Sequence, residues 1–140
     1  MIPLTESQFQ KRVIAACLKE EGCHAIRIAR MWAVMGGIPD LYIKHPSYPA
    51  VWLELKVNHK TGLNLDVPLS PLQRHFIRRE KGAGGHAGWA MLQQTSQTWA
   101  LYIGNRSETM AVPNKINKFS SLGKRVEINI LQILEAIVNG

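Results

Sequence analysis

Residues 51–57 have the sequence VWLELKV, in which apolar and polar side chains alternate. Because side chains of a strand point to opposite faces with period two, the alternation predicts a strand with one buried face. The opposite face then carries Trp52, Glu54 and Lys56. A carboxylate and an ammonium two residues apart on one face make this strand the candidate centre of a functional site.

The segment just before it, DLYIK, starts at Asp40 and alternates in the same way. The turn-rich residues 45–50, HPSYPA, link the two segments and predict a β-hairpin. With the loop centred in that linker, antiparallel pairing places Asp40 opposite about Leu55. The neighbours of Asp40 on the same face are then Glu54 and Lys56.

Two carboxylates this close repel each other unless a cation lies between them, and oxygen ligands favour a hard ion such as Mg²⁺ or Mn²⁺. Such an ion polarises a phosphodiester and activates a water, while Lys56 stabilises the charge that builds on phosphorus. The alternative is an ordinary group of cross-strand ion pairs on a solvated face, worth about 0 to 1 kcal/mol each. The motif Gly37-Ile38-Pro39-Asp40 just upstream favours a metal site over surface ion pairs.

The rest of the chain predicts an α/β (α+β) domain with a central mixed sheet flanked by helices. A capping-box spacing of Thr5 and Gln8 starts a first helix, and Ser70-Pro71 starts a second that runs to about Lys81. An apolar stripe near the C terminus predicts a last helix. Further strands are expected over residues 24–31, 89–93 and 98–103.

Composition limits the class of protein. The 140 residues suit one domain, and 17 Lys and Arg against 10 Asp and Glu give a net charge of +7, which favours a polyanionic partner such as DNA. No apolar run reaches the roughly 18 residues of a membrane span, and the first residues do not resemble a secretory signal. Cys17 and Cys23 form no disulfide framework and are expected to be small buried hydrophobes, which indicates a reducing, cytoplasmic location.

Pro39-Asp40 followed by Glu54-Leu55-Lys56 resembles the PD-(D/E)xK nuclease superfamily, which has a restriction-endonuclease-like core. In that superfamily the aspartate and glutamate bind metal, the carbonyl between glutamate and lysine completes the site, and the lysine assists the nucleophile. The resemblance implies these roles for Asp40, Glu54, the Leu55 carbonyl and Lys56. It implies Mg²⁺ as the cofactor, with Mn²⁺ able to substitute.

Three blocks, GGIPD (36–40), ELK (54–56) and LSPLQ (69–73), resemble VRR-type nucleases and archaeal Holliday-junction resolvases. A short phage or bacterial protein is the nearest likeness, so a bacterial or phage-infected cell is the expected setting. The resemblance implies a nuclease domain over residues 1–104, and residues 105–140 are expected to be an extension that packs on the core or on a partner chain.

The resemblance implies a Mg²⁺-dependent endonuclease that cuts branched DNA, as a Holliday-junction resolvase. Two-fold symmetric junctions favour a homodimer, with Phe9 and Val13 of the first helix or the stripe Leu131, Leu134 and Val138 as candidate contacts. One alternative is a repair or restriction-type nuclease for flaps, ends or duplex. The other is an inactive DNA-binding protein on a nuclease fold.

Two further candidates each have two interpretations. Glu6 lies in the first turn of the first helix, where it either reaches the metal or only stabilises the helix dipole. Gln73 completes a capping box with Ser70, and the family resemblance also places a glutamine beside the metal.

The basic residues near the motifs are candidates for contacts with DNA phosphates, although a solvated helix face accounts for about half of such charges. Arg74 and Arg78 share a helix face because they are four residues apart. Trp52 shares the Glu54 face, where it stacks on a base or, as we expect, packs against a helix. The complete set of candidate DNA contacts is Arg27, Arg30, Lys44, Lys60, Arg74 and Arg78.

Overall fold

The computed structural model describes residues 3–28, 36–59, 67–94, 98–108 and 125–140, together with the backbone of 117–122. Three helices and six strands lie within these ranges. In chain order they are α1 (Glu6–Leu18), β1 (His24–Arg27), β2 (Leu41–His45), β3 (Tyr48–Asn58), α2 (Pro71–Gly82), β4 (His86–Gln94), β5 (Thr98–Gly104), β6 (Asn117–Leu122) and α3 (Ile130–Asn139).

The six described strands form one sheet in the order β1-β2-β3-β4-β5-β6. Only β3 and β4 are parallel, and α2 lies between them in the chain, as a parallel connection requires. The other four pairs are antiparallel. The predicted mixed sheet flanked by helices is confirmed.

The β2–β3 hairpin differs by one residue from the predicted register. Its turn is only Pro46–Ser47, and a bulge interrupts the ladder between Ile43 and His45. Leu41 pairs with Leu53, so Asp40 lies opposite Glu54 and not opposite Leu55 as predicted. The longer loop assumed from the sequence was wrong because strand β3 already begins at Tyr48. Directly opposed residues share a face, which places the two acids together.

The two faces of the sheet are covered by different helices. Helices α1 and α3 pack on the face that carries Leu53 and Leu55, and this cluster also contains Phe9, Val13 and Leu134. We call this the opposite face. Helix α2 packs through Ile77 on the other face, against Ala87, Trp89 and Met91 of β4. We call it the site face, because Tyr42, Trp52, Glu54 and Lys56 also lie on it by register.

The described residues beyond 104 extend this same sheet and core. Strand β6, which the sequence did not predict, pairs with β5. The predicted C-terminal helix is confirmed as α3, with five buried residues: Ile130, Ile133, Leu134, Ala136 and Ile137. Phe9, Val13 and Leu134 lie fully inside the chain's own core, so they are not available as the dimer contacts considered above. No helix in the described ranges has the length and apolar character needed to cross a membrane.

The two cysteines are bonded to each other. Cys17 ends the buried stripe of α1, Cys23 immediately precedes β1, and a disulfide joins them across the turn between these elements. The expectation that both would be unpaired hydrophobes was wrong, although both are indeed buried. A separation of six residues is short enough for the turn at Gly22, with φ of +75°, to bring their Cα atoms within 5.6 Å.

Candidate active site

Two glycines place the segment that carries Asp40. Gly36 and Gly37 have φ values of +68° and +81°, which glycine adopts without the strain that a Cβ would cause. A Cβ on Gly37 would also collide with the backbone of Leu72 in the first turn of α2. The GGIPD loop therefore packs directly on the start of α2. At its end, the Asp40 carbonyl accepts a hydrogen bond from the Ile28 N–H at 3.0 Å.

The Asp40 carboxylate lies over strand β3. Its Oδ2 accepts a hydrogen bond of 2.8 Å from the backbone N–H of Leu55. The Leu55 side chain is fully buried on the opposite face, so only the backbone of this residue reaches the site. This contact was not predicted, because a backbone donor leaves no side-chain signal in the sequence.

Glu54 is the most buried charged residue of the site, with 4% of its surface exposed. Its Oε1 accepts a hydrogen bond from Gln73 Nε2 at 2.9 Å and lies 3.5 Å from Lys56 Nζ. Its Oε2 is buried and has no hydrogen-bond partner within the described residues. Burial, and then the negative charge of Asp40, raise the pKa of Glu54 to about 8, against the opposing effect of Lys56.

Gln73 forms the predicted capping box and also contacts Glu54. Its backbone N–H donates to Ser70 Oγ, and its side-chain Oε1 accepts from the Ser70 N–H at 2.8 Å, which completes the predicted capping box. Since the Ser70 N–H can only donate, the amide oxygen of Gln73 is held on that side. The amide NH₂ is thereby directed at Glu54. The cap of α2 and the carboxylate of β3 are joined through one side chain.

The residues fit a hard divalent cation. Asp40 and Glu54 supply carboxylate oxygens, the ligands that such ions prefer, and the unpartnered Oε2 of Glu54 is an acceptor that a cation would satisfy. The described residues contain no group of three His, Cys, Asp or Glu side chains able to hold a metal, so a complete shell here needs backbone oxygen or water. Lys56 lies on the same face with its ammonium beside Glu54, as its spacing predicted.

Glu6 does not join the other acids in this structure. It is exposed in the first turn of α1, and α1 packs on the opposite face of the sheet. Its place after the Thr5 cap fits the helix-dipole interpretation, and its catalytic role stays a prediction.

The candidate DNA contacts are distributed over several surfaces. Arg78 is exposed on α2, whereas Arg74 is half-buried, with its Nε unpartnered among the described residues. Lys44 lies on the site face with its Nζ 5.9 Å from the centre of the Tyr42 ring. Arg27 pairs with Leu41 and so belongs to the opposite face. Arg30 and Lys60 lie outside the described residues.

Trp52 packs against helix α2, as expected. Its ring centroid lies 5.2 Å from that of Phe76 in an edge-to-face contact, and 4.6 Å from that of Tyr42 on the neighbouring strand. All three side chains are partly exposed. The pairing of Tyr42 with Trp52 follows from the observed register, which the sequence alone placed one residue away.

The chain matches no protein-family model and no curated protein. Among solved structures it is similar to Hjc, a Holliday junction resolvase from the archaeal hyperthermophile Archaeoglobus fulgidus. The similarity has 19% sequence identity and a TM-score of 0.44, and it covers 66% of this chain and 71% of the resolvase. A similarity of this size assigns no function to the chain.

Proposed function

We propose that this chain is a metal-dependent DNA endonuclease whose active site contains Asp40, Glu54, Lys56 and Gln73. The observation that carries the proposal is the buried carboxylate of Glu54, which has Asp40 and Lys56 beside it and one oxygen without a partner among the described residues. Burial of a carboxylate beside a second acid is costly in a folded chain unless a ligand compensates the negative charge.

In this proposal Asp40, Glu54 and the Leu55 carbonyl hold Mg²⁺, with Mn²⁺ as a substitute. The bound ion would supply charge to polarise the scissile phosphate and to lower the pKa of an attacking water. Lys56 holds a positive charge beside Glu54, where it stabilises the negative charge that develops on the phosphoryl oxygens. Gln73 keeps the Glu54 carboxylate in one orientation through its fixed amide.

The substrate proposed is branched DNA, with a four-way junction as the preferred form. One active centre in each chain implies two chains for the paired nicks that resolve such a junction, so we propose a homodimer. Its interface should bury about 1,200 Å² or more. Phe9, Val13 and Leu134 are buried in the core. The candidates that remain are the exposed Ile26 on β1, an end strand of the described sheet, and the partly buried Leu131 and Val138 of α3.

The test is a cleavage assay on labelled four-way junction, flap, linear duplex and single-stranded DNA, with and without Mg²⁺. We expect Mg²⁺-dependent paired nicks near the branch point of the junction. Asp40→Asn should abolish cleavage while DNA binding is retained, because it removes one metal ligand and leaves the fold intact. Glu127→Gln, at an exposed position, is the matched control.

Each outcome separates a different part of the proposal. Equal cutting of linear duplex by a monomer, measured by sedimentation with junction present, would reject the resolvase and leave the nuclease. Cutting by Asp40→Asn at the parent rate would show that the active site is misplaced. DNA binding without cleavage in any metal would favour the inactive DNA-binding protein.

A further inference from the structure

Three aromatic rings lie in a row on the site face. Tyr42 and Trp52 are cross-strand partners on β2 and β3, and Phe76 continues the row from helix α2. The ring centroids are 4.6 Å and 5.2 Å apart, and Lys44 Nζ lies 5.9 Å from the Tyr42 centroid at the end of the row. We call these three residues the aromatic row.

The aromatic row is directly beside the candidate active site. Tyr42 lies two residues after Asp40, and Trp52 lies two residues before Glu54, all on one face. Two residues along a strand span about 7 Å, so the Tyr42–Trp52 pair lies about 7 Å along the two strands from the Asp40–Glu54 pair. A group bound at the acids therefore has the aromatic row as its neighbour.

Packing of α2 on the sheet accounts for only part of this arrangement. Phe76 of α2 meets Trp52 of β3 edge to face, and this contact is part of the packing of the helix on the sheet. Tyr42 lies on β2, two strands away from β4, which is the strand that α2 covers. Tyr42 remains partly exposed, and besides Trp52 its ring has Lys44 Nζ near it, 5.9 Å from the centroid.

We propose that the aromatic row stacks on an unpaired base of the DNA next to the phosphate that is cut, with Lys44 on the adjoining backbone. Partly exposed rings beside a cation are the chemistry that binds single-stranded DNA, because every base has a face that can stack. The base of a paired nucleotide is already stacked within the duplex. This inference rests on the proposed function and refines it: the branched DNA is bound with one nucleotide at the branch point, next to the cut, unpaired and stacked on the aromatic row.

The experiment measures binding in the presence of EDTA, so that no cleavage occurs. The probe is a duplex with a short single-stranded flap, carrying 2-aminopurine or an abasic sugar at each of the first three unpaired positions. We expect the wild-type chain to quench 2-aminopurine at one of these positions and to bind on the order of tenfold more weakly when that base is absent.

Two variants assign the effect to the aromatic row. Tyr42→Leu should lose most of the quenching and bind the normal and abasic flaps alike. Tyr48→Leu, which removes a partly exposed ring from the other end of the same hairpin, should behave as the wild type. The abasic probe tests the wild-type chain, so the proposal stays falsifiable even if Tyr42→Leu does not fold.

Equal binding of normal and abasic flaps by the wild-type chain would overturn the proposal, as would a full base dependence in Tyr42→Leu. These readouts are independent of cleavage. Base-dependent binding without Mg²⁺-dependent cutting would reject the nuclease and retain the stacking surface. Mg²⁺-dependent cutting without any base dependence of binding would reject the stacking surface and retain the nuclease.

Discussion

The two faces of strand β3 differ in what they bury. On the opposite face, Val51, Leu53 and Leu55 are fully buried in the apolar cluster to which α1 and α3 contribute. On the site face the same strand carries Trp52, Glu54 and Lys56, and Glu54 is almost as buried as its apolar neighbours. Successive residues of one strand thus contribute alternately to an apolar core and to a charged site.

This difference shows where the stability of the domain originates. Apolar burial on the opposite face is favourable at about 25 cal/mol for each Å² removed from water. The buried carboxylate on the site face costs free energy instead, since its charge is taken out of water beside a second negative charge. We infer that apolar burial on the opposite face offsets the free energy that the buried Glu54 carboxylate costs on the site face.

The largest expected effect is on the opposite face. Leu134→Ala removes a fully buried side chain from α3 and should lower the free energy of unfolding by about 2 to 5 kcal/mol. Urea denaturation measures it. Leu131→Ala on the same helix is the control, because this side chain is only partly buried and should cost clearly less. Equal losses in the two variants would contradict the assignment of the core.

Lys56→Ala tests the site face and should have the next largest effect. Removal of a positioned charge beside the reacting phosphate is expected to lower the cleavage rate by on the order of a hundredfold, with little change in stability. Single-turnover cleavage at saturating DNA measures the rate. Lys11→Ala, at an exposed position on α1, should retain the parent rate. A Lys56→Ala rate within twofold of the parent would exclude the role proposed for this ammonium.

The contrast between the faces was largely predictable from local sequence. Alternation in residues 51–57 assigned each β3 side chain to its face, and the Ser70–Gln73 spacing located the start of α2, because both depend only on near neighbours. The β2–β3 register was displaced by one residue, since a bulge and a two-residue turn leave no clear pattern.

Other features depend on contacts that are distant in the sequence or weak in signal. Strand β6, NKFSSL, is rich in polar residues and lacks the β-branched side chains that mark strands, so its pairing with β5 was not foreseen. The contact of Gly37 with Leu72 joins segments 35 residues apart in the numbering, and only the fold reveals it. The Cys17–Cys23 bond was missed because two cysteines alone do not indicate a disulfide framework.

A smaller effect concerns pH. The pKa of Glu54 is raised to about 8 in the folded chain, from an ordinary value of 4.5. Between these values the folded chain binds more protons than the unfolded chain, so metal-free stability should fall as pH rises from about 5 toward 8. Glu54→Gln should flatten this decline by on the order of a few kcal/mol, measured by urea unfolding with a chelator present.

Exposed Glu127→Gln is the control for the pH measurement and should keep the decline of the parent. Mg²⁺ binding should in addition release a proton near pH 7, because the ion requires the ionised carboxylate. A parent chain whose stability is the same at pH 5 and pH 8 without metal would contradict the raised pKa.

The smallest expected effect is on DNA binding through α2. Reversal of both charges in Arg74→Glu, Arg78→Glu should weaken binding to all DNA sequences alike. The slope of log affinity against log salt should become shallower by about one to two units, since each lost phosphate contact contributes about 0.9. Filter binding over a salt series measures the slope. The control is the double variant Lys11→Glu, on α1, and Lys19→Glu, at the C-cap of that helix. A loss confined to particular sequences would indicate base contacts instead.

The double role of Gln73 has a consequence for local opening of the chain. Helix ends fray more readily than helix centres, and the first turn of α2 is held by the reciprocal Ser70–Gln73 hydrogen bonds. Each fraying event that breaks this cap also withdraws the amide from Glu54. Ligand bound at Glu54 should therefore slow amide hydrogen exchange at Gln73, while exchange at the last turn of α2 stays the same. The start of α2 thus reports the occupancy of the site without any DNA being cut.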